Sequence, residues 1–277
     1  MDEVTVRFLP PTPSLRDTMV FYYVVRIGED PVEDLLHPEG AHIRLILAGD
    51  WRITFADGAQ ATASGPSAVI TGALSRAATV HGPAGGIMVS VGLLPPGWAL
   101  LSDQSAAAYV DDLKPLSDLV GDAASEIVEA LDAAADDESY GRALDAWFLK
   151  RRALRPPTDP LVAGVHVGLM DEGVASVAEW ARRLGCSTRQ LERVVRDHIG
   201  ITPKRLLRRQ RFLRSSASLR EQPLGGWGQA IDERYADQPQ FIREFNYFMG
   251  MPPRVYFARK SPFMSAGAEA RKALAAG

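Results

Sequence analysis

The chain has 277 residues, of which 46% are hydrophobic and 23% charged, which is typical of soluble globular proteins and sufficient for two domains. The single cysteine, Cys186, excludes an intramolecular disulfide and a cysteine-rich zinc site, and no apolar run reaches the roughly 18 residues of a membrane span. The N-terminal segment is acidic and proline-rich, whereas a secretory signal is basic and then apolar. We therefore expect a cytoplasmic protein with no membrane partner.

The net charge of −3 conceals a strong asymmetry along the chain. Residues 1–157 hold 12 basic and 22 acidic side chains and carry a charge of −10, whereas residues 158–277 hold 19 and 12 and carry +7. A basic half attached to an acidic half indicates that the basic half faces a polyanion. The predicted boundaries are an N-terminal sensing domain over 1–153, a linker over 154–160, a second domain over 161–263 and a frayed tail over 264–277.

The N-terminal half is predicted to form strands followed by helices. A short connection that contains Gly49 follows residues 43–47 and predicts a β-hairpin with residues 51–55. From Pro115 onward, apolar residues recur at helical spacing. The predicted fold is a β-barrel or sandwich with a helical tail. Its five strands cover 20–25, 43–47, 51–55, 68–71 and 87–91, and its helices lie within 116–135 and 139–153.

Three histidines are the candidate metal ligands of this half: His37, His42 and His81. A barrel can bind a metal through histidines and a carboxylate that converge from different strands. The three histidines form neither an H-x-H nor an H-x-x-x-H pair, so we expect structural roles for them and no metal or other cofactor. A small-molecule site in the mouth of the barrel is expected on general grounds.

The second half begins with two short helices joined by a glycine turn. Ser176 and Glu179 form an S-x-x-E capping box, Gly185 ends the helix, and Ser187 and Gln190 begin the next helix with S-x-x-Q. Such a pair is a helix-turn-helix unit, whose second helix enters the DNA major groove. The residues on the outer face of that second helix are Thr188, Arg189, Glu192, Arg193 and Arg196.

The same pattern occurs again fifty residues later. Ser187 is replaced by Asp237, another preferred N-cap residue, and the apolar stripe of the first helix is replaced by an aromatic one. Four residues are identical in the two copies: Gln190 and Gln240, Arg193 and Arg243, Gly200 and Gly250, and Pro203 and Pro253. Each copy therefore specifies a capped helix that ends at glycine and is followed by proline.

A helix is predicted between the two units, over residues 203–219. Its apolar stripe is predicted from Leu206 to Ala217, with an arginine-rich face at Arg205, Arg208 and Arg209 that is either solvated or in contact with phosphate. Seventeen residues make a rod of about 25 Å. With the widths of the flanking helices, it would place the two recognition helices about 34 Å apart, which is one turn of B-DNA.

Residues 185–204, Arg211 and residues 235–253 together resemble the DNA-binding domain of AraC/XylS-type transcription regulators. The resemblance covers roughly residues 160–263 and includes both units and the linker helix. It implies an N-terminal cupin-like sensing domain, a small-molecule effector, RNA polymerase as a partner and homodimerisation. Activation of transcription is the expected outcome, with repression as the open alternative. The positions that match the family's base-reading residues are Arg189, Glu192, Arg193, Pro239, Gln240 and Arg243.

Several alternatives stay open at this point. The chain is expected to have no enzymatic activity, but a metal-dependent cupin-type enzyme fused to a DNA-binding domain and a DNA-binding protein without a ligand are competing interpretations. Glu192 either accepts from cytosine or pairs with a neighbouring arginine. Cys186 is either a small packed residue or a redox sensor with a lowered pKa. The apolar spacing in 122–135 and 139–153 suits either a dimer interface or packing on the barrel.

Overall fold

The computed structural model describes residues 3–171, 173–220, 235 and 237–276. The strands of the N-terminal half are β1 Val4–Leu9, β2 Met19–Ile27, β3 Val32–Leu36, β4 His42–Ala48, β5 Asp50–Thr54, β6 Gln60–Ser64, β7 Ser67–Thr71, β8 Ala78–Gly82, β9 Ile87–Leu93 and β10 Leu113–Pro115. Its helices are α1 Pro95–Leu101, α2 Ser117–Val120, α3 Ala123–Asp132 and α4 Asp137–Ala153. The C-terminal half contains α5 Pro160–Met170, α6 Val177–Arg183, α7 Thr188–His198, α8 Pro203–Arg220, α9 Gln238–Met249, α10 Pro253–Phe257 and α11 Pro262–Ala276.

The strands form two antiparallel sheets that enclose an apolar interior. The larger sheet has the order β1-β2-β9-β4-β7-β10, and the smaller has the order β3-β8-β5-β6. Val25, Ile46, Trp51 and Met88 pack together between the sheets. The predicted α+β architecture, a two-sheet β-domain with a helical tail followed by a helical domain, is confirmed, and each of the five predicted strands is present.

The predicted hairpin between residues 43–47 and 51–55 is wrong. Strand β4 lies in the larger sheet between β7 and β9, whereas β5 lies in the smaller sheet between β6 and β8. Both edges of β4 are therefore occupied, and its residues 42–46 are all buried. Gly49, with a φ of 84°, lets the chain turn the corner from one sheet to the other instead of closing a hairpin.

The helical tail of the β-domain covers the outer face of the larger sheet. Leu131 of α3 and Leu144, Trp147 and Phe148 of α4 are at most 5% exposed and belong to the same apolar cluster as Ile43 of β4. The apolar stripe in 122–135 and 139–153 thus packs within the chain. This arrangement follows the second of the two predicted alternatives for that stripe.

In the helical domain, α5, α6, α7 and the start of α8 surround one apolar core, and the end of α8, α9 and α10 surround another. Trp180 and Leu191 are fully buried in the first core, and Phe212 and Phe245 in the second. The first helix of the second helix-turn-helix unit would fall within 221–234, which lies outside the described residues.

The buried stripe of the linker helix α8 differs from the predicted one. Its buried positions include Leu206, Arg209, Phe212 and Leu219, whereas Ala217 is exposed. This stripe is rotated from the predicted one because it serves both helical cores and also contacts the β-domain. Arg209, placed by prediction on a solvated face, is only 6% exposed.

The tail predicted to be frayed over 264–277 is helical through Ala276. Helix α11 lies against β1 and β3, and Phe263 packs on Trp51 with their ring centroids 6.3 Å apart. The backbone N–H of Phe263 donates to Oδ2 of Asp34, which is 0% exposed, over 2.9 Å. The alanines of this segment favour a helix, and packing against an apolar surface of the β-domain stabilises that helix. The composition of the segment does not reveal that this surface lies beside it.

The two halves of the chain contact each other at both helix-turn-helix units. The N–H of Ala77 donates to the carbonyl of Phe248 over 2.7 Å, and Nη1 of Arg209 donates to the carbonyl of Glu39 over 2.8 Å. His37 Nε2 and the Tyr256 hydroxyl share a hydrogen bond of 2.5 Å. Ala73 contributes to the first helical core, so the β-domain is packed against both units.

Substitution of Gly200 tests this packing. Gly200 has a φ of 94°, and a Cβ there would lie 2.7 Å from the carbonyl oxygen of Ala106 in the β-domain. Gly185 has a φ of 65°, and a Cβ added there would meet no atom within 4 Å, so Gly185→Ala is the matched control. We expect Gly185→Ala to lose about 1–2 kcal/mol from backbone strain alone, and Gly200→Ala to lose clearly more in urea denaturation. Equal losses would contradict the contact.

Candidate DNA interface and interdomain cavity

The first candidate DNA-reading helix is α7, and its start is fixed by a complete capping box. The Ser187 hydroxyl accepts from the N–H of Gln190, and the Gln190 side chain accepts from the N–H of Ser187 over 2.9 Å. Buried Leu191, Val194 and Val195 hold the opposite face of the helix in the first core. The predicted reading residues Thr188, Arg189, Glu192, Arg193 and Arg196 are all exposed.

The second candidate reading helix, α9, is built in the same way. Asp237 accepts from the N–H of Gln240 over 2.7 Å, and Gly250 ends the helix in the left-handed conformation. Pro239 and Arg243 are exposed, and Gln240 is half-buried. The Arg243 side chain is 70% exposed and lies 4.0 Å from Asp237, so it is available to a ligand on the outer face.

Glu192 has no ion-pair partner within 4.0 Å among the residues that the structure describes. Its predicted alternative, a pair with Arg189 or Arg196 on its own helix, is therefore not formed. An exposed carboxylate on the outer face of α7 can accept from the amino group of cytosine.

A buried carboxylate joins the second reading helix to the linker helix. Glu244 of α9 accepts from Arg208 and Arg211 of α8, each over 2.9 Å, and from the Tyr235 hydroxyl over 2.7 Å. The Arg211 guanidinium also lies 4.3 Å from the centroid of the Tyr235 ring. Two charged contacts and one neutral one therefore fix the angle between α8 and α9. Sequence reasoning missed Glu244, although an acidic residue on an aromatic stripe is a visible signal.

A groove of about 870 Å³ runs between the two units on the side of Gln240 and Arg243. Lys204 and Arg208 of α8 line its floor, and Ser176 lines the side toward α6. The groove is basic except for Glu244, which is already paired with the arginines. Its charge suits the phosphate backbone of a duplex that passes from one reading helix to the other.

A family model described as a helix-turn-helix domain matches residues 180–259, from α6 through α10. Residues 180–259 form an AraC-type helix-turn-helix domain. The chain is accordingly a DNA-binding transcription regulator. No curated protein matches the chain by sequence.

Solved structures with similar folds include regulators and cupin proteins. ToxT from Vibrio cholerae is 14% identical, with a TM-score of 0.46 over 85% of this chain and 97% of its own. A cupin superfamily protein from Desulfitobacterium hafniense is 19% identical over 32% of this chain and 76% of its own, with a TM-score of 0.27. A cupin domain of an XRE family transcriptional regulator from Enterobacter cloacae is 10% identical over 32% of this chain and 95% of its own, with a TM-score of 0.27.

A cavity of about 430 Å³ lies between the β-domain and the AraC-type domain with its C-terminal helix. Strands of both sheets form its floor, α8 contributes Arg209 and Leu213, and α11 contributes Phe263 and Met264. Most of its wall is apolar, and the aromatic rings of Phe8 and Phe21 lie 4.6 Å apart at one side. Parts of the C-terminal half therefore border this cavity together with the β-domain.

Charged groups converge at one end of this cavity. Arg44, which is 5% exposed, donates to Glu39 over 2.7 Å, to the Thr71 hydroxyl over 3.0 Å and to the Tyr23 hydroxyl over 3.4 Å. Arg209 donates to the carbonyl of the same Glu39. Burial lowers the pKa of Arg209 to about 10, so its guanidinium is still charged at neutral pH.

The three histidines predicted as candidate metal ligands contact different partners. His37 bonds to Tyr256, His42 Nδ1 donates to the Gly40 carbonyl over 3.1 Å, and His81 Nδ1 lies 3.1 Å from Glu33. Within the described residues, no group of three or more histidine, cysteine or acidic side chains has the arrangement of a metal site. Nor does any helix there have the length and apolar character to cross a membrane.

Cys186 is half-buried against the core of the first helix-turn-helix unit. Burial raises the pKa of its thiol, whereas a redox sensor needs a lowered pKa. The structure therefore favours the packed-residue interpretation of Cys186.

Proposed function

We propose that this regulator reads two successive major-groove segments with a single chain, and that a small molecule in the interdomain cavity controls it. The observation that supports DNA reading is the pair of capped helices α7 and α9, whose outer faces are exposed while their inner faces are buried in separate cores. Because both helices belong to one chain, the DNA site does not need to be palindromic.

Each reading residue has a role in this proposal. Arg193 and Arg243 occupy equivalent outer positions, and each can donate hydrogen bonds to the two acceptors of guanine. Glu192 accepts a hydrogen bond from the amino group of cytosine, and Gln240 forms hydrogen bonds with adenine. The remaining outer residues Thr188, Arg189, Arg196 and Pro239 contact neighbouring bases or phosphates.

Control by a ligand is supported by the position of the cavity. Its walls come from the β-domain, from the linker helix α8 and from α11, so a bound molecule would contact the DNA-reading half directly. A molecule that binds one arrangement of the two halves more tightly shifts the population toward that arrangement. The cavity has the size of ordinary small-molecule sites, roughly 300–1,000 Å³.

Contact with RNA polymerase, activation of transcription and homodimerisation are further parts of the proposal, taken from the family resemblance. The apolar residues of α3 and α4 are used inside the chain, so a dimer would need another surface. Leu154, which is 73% exposed after α4, is an apolar side chain that such a surface could use.

Arg193→Ala tests the assignment of α7. Because a bidentate arginine–guanine contact contributes about 1–3 kcal/mol, we expect the variant to bind its selected DNA about 10- to 100-fold more weakly and to lose preference at one base pair. Fluorescence anisotropy with the full chain, over a series of salt concentrations, measures both the affinity and its salt dependence. Arg142→Ala, in an exposed part of α4, is the control and should bind like the wild type. Unchanged affinity and preference in Arg193→Ala would contradict the assignment.

A further inference from the structure

Both candidate reading helices end against the β-domain. The carbonyl groups in the last turn of a helix have no N–H partner within that helix. At the end of α9, the carbonyl of Phe248 accepts from the N–H of Ala77 over 2.7 Å. At the end of α7, the carbonyl of Arg196 accepts from the Ser105 hydroxyl over 3.4 Å. Each reading helix is therefore bonded to the β-domain through a carbonyl of its own last turn.

The β-domain segments that form these bonds are residues 72–77 and 105–111, which we call the platform. Fully buried Ala73 belongs to the core of the first helix-turn-helix unit, and Val110 packs against the same core. Ala77, only four residues after Ala73, belongs to the core of the second unit. One short stretch of the β-domain thus lies between the two units and contacts both.

Hydrogen bonds join the two segments of the platform into one piece. The N–H and the hydroxyl of Ser75 donate to the two carboxylate oxygens of Asp111 over 2.7 and 2.5 Å. In return, the N–H of Asp111 donates to the carbonyl of Ala73 over 3.1 Å. The backbones are also in close contact, since a Cβ added at Gly72 would lie only 1.7 Å from the carbonyl oxygen of Tyr109. A shift of one segment must therefore move the other.

The platform is anchored in the interior of the β-domain and bonded to the linker helix. Leu74 is fully buried among residues of the smaller sheet, and Ala106 and Tyr109 are buried in the core of the larger sheet. The carbonyl of Glu39 accepts from the N–H of Leu74 over 3.1 Å and from Arg209 of α8 over 2.8 Å. The β-domain therefore holds the ends of both reading helices and the middle of the helix that joins the two units.

The backbone of Asp111 adopts an uncommon conformation. Among the residues that the structure describes, Asp111 is the one non-glycine residue with a positive φ, at 52°. Aspartate adopts this conformation more readily than most residues, but it persists only where the surrounding structure holds it in place. The two bonds from Ser75 hold it here, and such conformations cluster at functional positions. Asp111 is therefore the residue that fixes the shape of the platform.

We propose that the platform sets the separation and relative rotation of the two reading helices, and so the number of base pairs between the two submotifs of the DNA site. Asp111 is its positioning residue and acts through Ser75. This inference rests on the proposed reading of two major-groove segments by one chain. Each base pair added between the submotifs turns the second by about 35° and moves it by about 3.4 Å. Reading helices that are both held by the platform cannot follow that displacement.

Duplexes with altered spacing test the proposal on the full-length protein. Fluorescence anisotropy compares the selected site with duplexes that have one base pair more or less between the submotifs. We expect the wild type to bind the altered duplexes about tenfold more weakly. Asp111→Ala removes both bonds to Ser75 and disfavours the positive φ, so its spacing penalty should fall to about threefold or less. Its affinity for a duplex with a single submotif should match that of the wild type.

Three further variants distinguish positioning from general stability. Asp111→Asn retains an acceptor for Ser75 and tolerates a positive φ, so it should keep most of the spacing penalty. Ser75→Ala loses one of the two bonds and should show an intermediate penalty. Ile27→Val lowers the stability of the β-domain in a cluster to which no platform residue belongs, and should keep the wild-type penalty. Circular dichroism reports folding, and Ser75→Ala supplies the comparison where Asp111→Ala does not fold.

The outcomes separate this inference from the proposed function. A wild-type spacing penalty in both Asp111→Ala and Ser75→Ala would overturn the role of the platform, as would an equal loss of the penalty in Ile27→Val. Reading of two major-groove segments would still stand in both cases. A wild type that binds all spacings equally, or a single submotif as tightly as two, would contradict the proposed function and this inference with it.

Discussion

Glu244→Ala should lower the free energy of unfolding of the AraC-type domain by about 3 kcal/mol, because removal of one member of a buried ion pair leaves the other charge without a partner. The Glu244 side chain is 8% exposed and accepts from Arg208, Arg211 and Tyr235. The expected loss lies at the lower end for buried pairs, since the Arg208 side chain is 39% exposed and can regain water. Urea denaturation, followed by circular dichroism, measures the loss.

Two further variants define what the Glu244 result means. Glu244→Gln retains an acceptor for Tyr235 without the charge, so we expect a smaller loss than in the alanine variant. Glu129→Ala removes an exposed glutamate from α3 and should change stability by no more than about 0.5 kcal/mol. A Glu244→Ala protein as stable as Glu129→Ala would show that the buried carboxylate does not hold α9 against α8.

Phe245→Ala should be the most destabilising truncation in the second helix-turn-helix unit, with a loss of about 3–5 kcal/mol. Phe245 is 0% exposed, and its ring centroid lies 5.4–5.8 Å from those of Phe212, Phe241, Tyr256 and Phe257. Its removal would leave a cavity surrounded by rings from three helices, which cannot collapse together without moving α9.

The neighbouring Asn246→Ala is the matched control for this substitution. Asn246 lies on the exposed face of the same helix, so its truncation should change the unfolding free energy by no more than about 0.5 kcal/mol. If Phe245→Ala unfolds at the same urea concentration as Asn246→Ala, the aromatic core of the second unit is not the source of its stability.

Local signals in the sequence were sufficient to predict both reading helices. Ser187 and Asp237 cap the helices through their own side chains, and Gly200 and Gly250 adopt positive φ at the ends. These interactions involve residues within a few positions of each other, so the sequence pattern contains both partners. The reading residues that the pattern placed outside are exposed, apart from half-buried Gln240.

Long-range contacts explain what the sequence did not reveal. Strand β6 carries only polar or small residues, and β3 has Glu33 and Asp34 among its apolar residues. The conformation of both strands depends on pairing with β5 and β8. The sequence does not distinguish Arg209 from Arg205 and Arg208, because its burial depends on the packing of the β-domain against α8. Helix α11 likewise depends on a surface that is more than 200 residues away in sequence, at Asp34.

Selection of bound DNA from a random pool by the full-length chain tests most directly whether one chain reads two major-groove segments. We expect a site with two different submotifs whose centres are about 10 base pairs apart, on one face of the duplex. Insertion of about five base pairs between them turns one submotif to the opposite face, and should reduce binding to the level of a single submotif. A selected site with one short submotif, or binding that is unchanged by the insertion, would contradict reading by both helices.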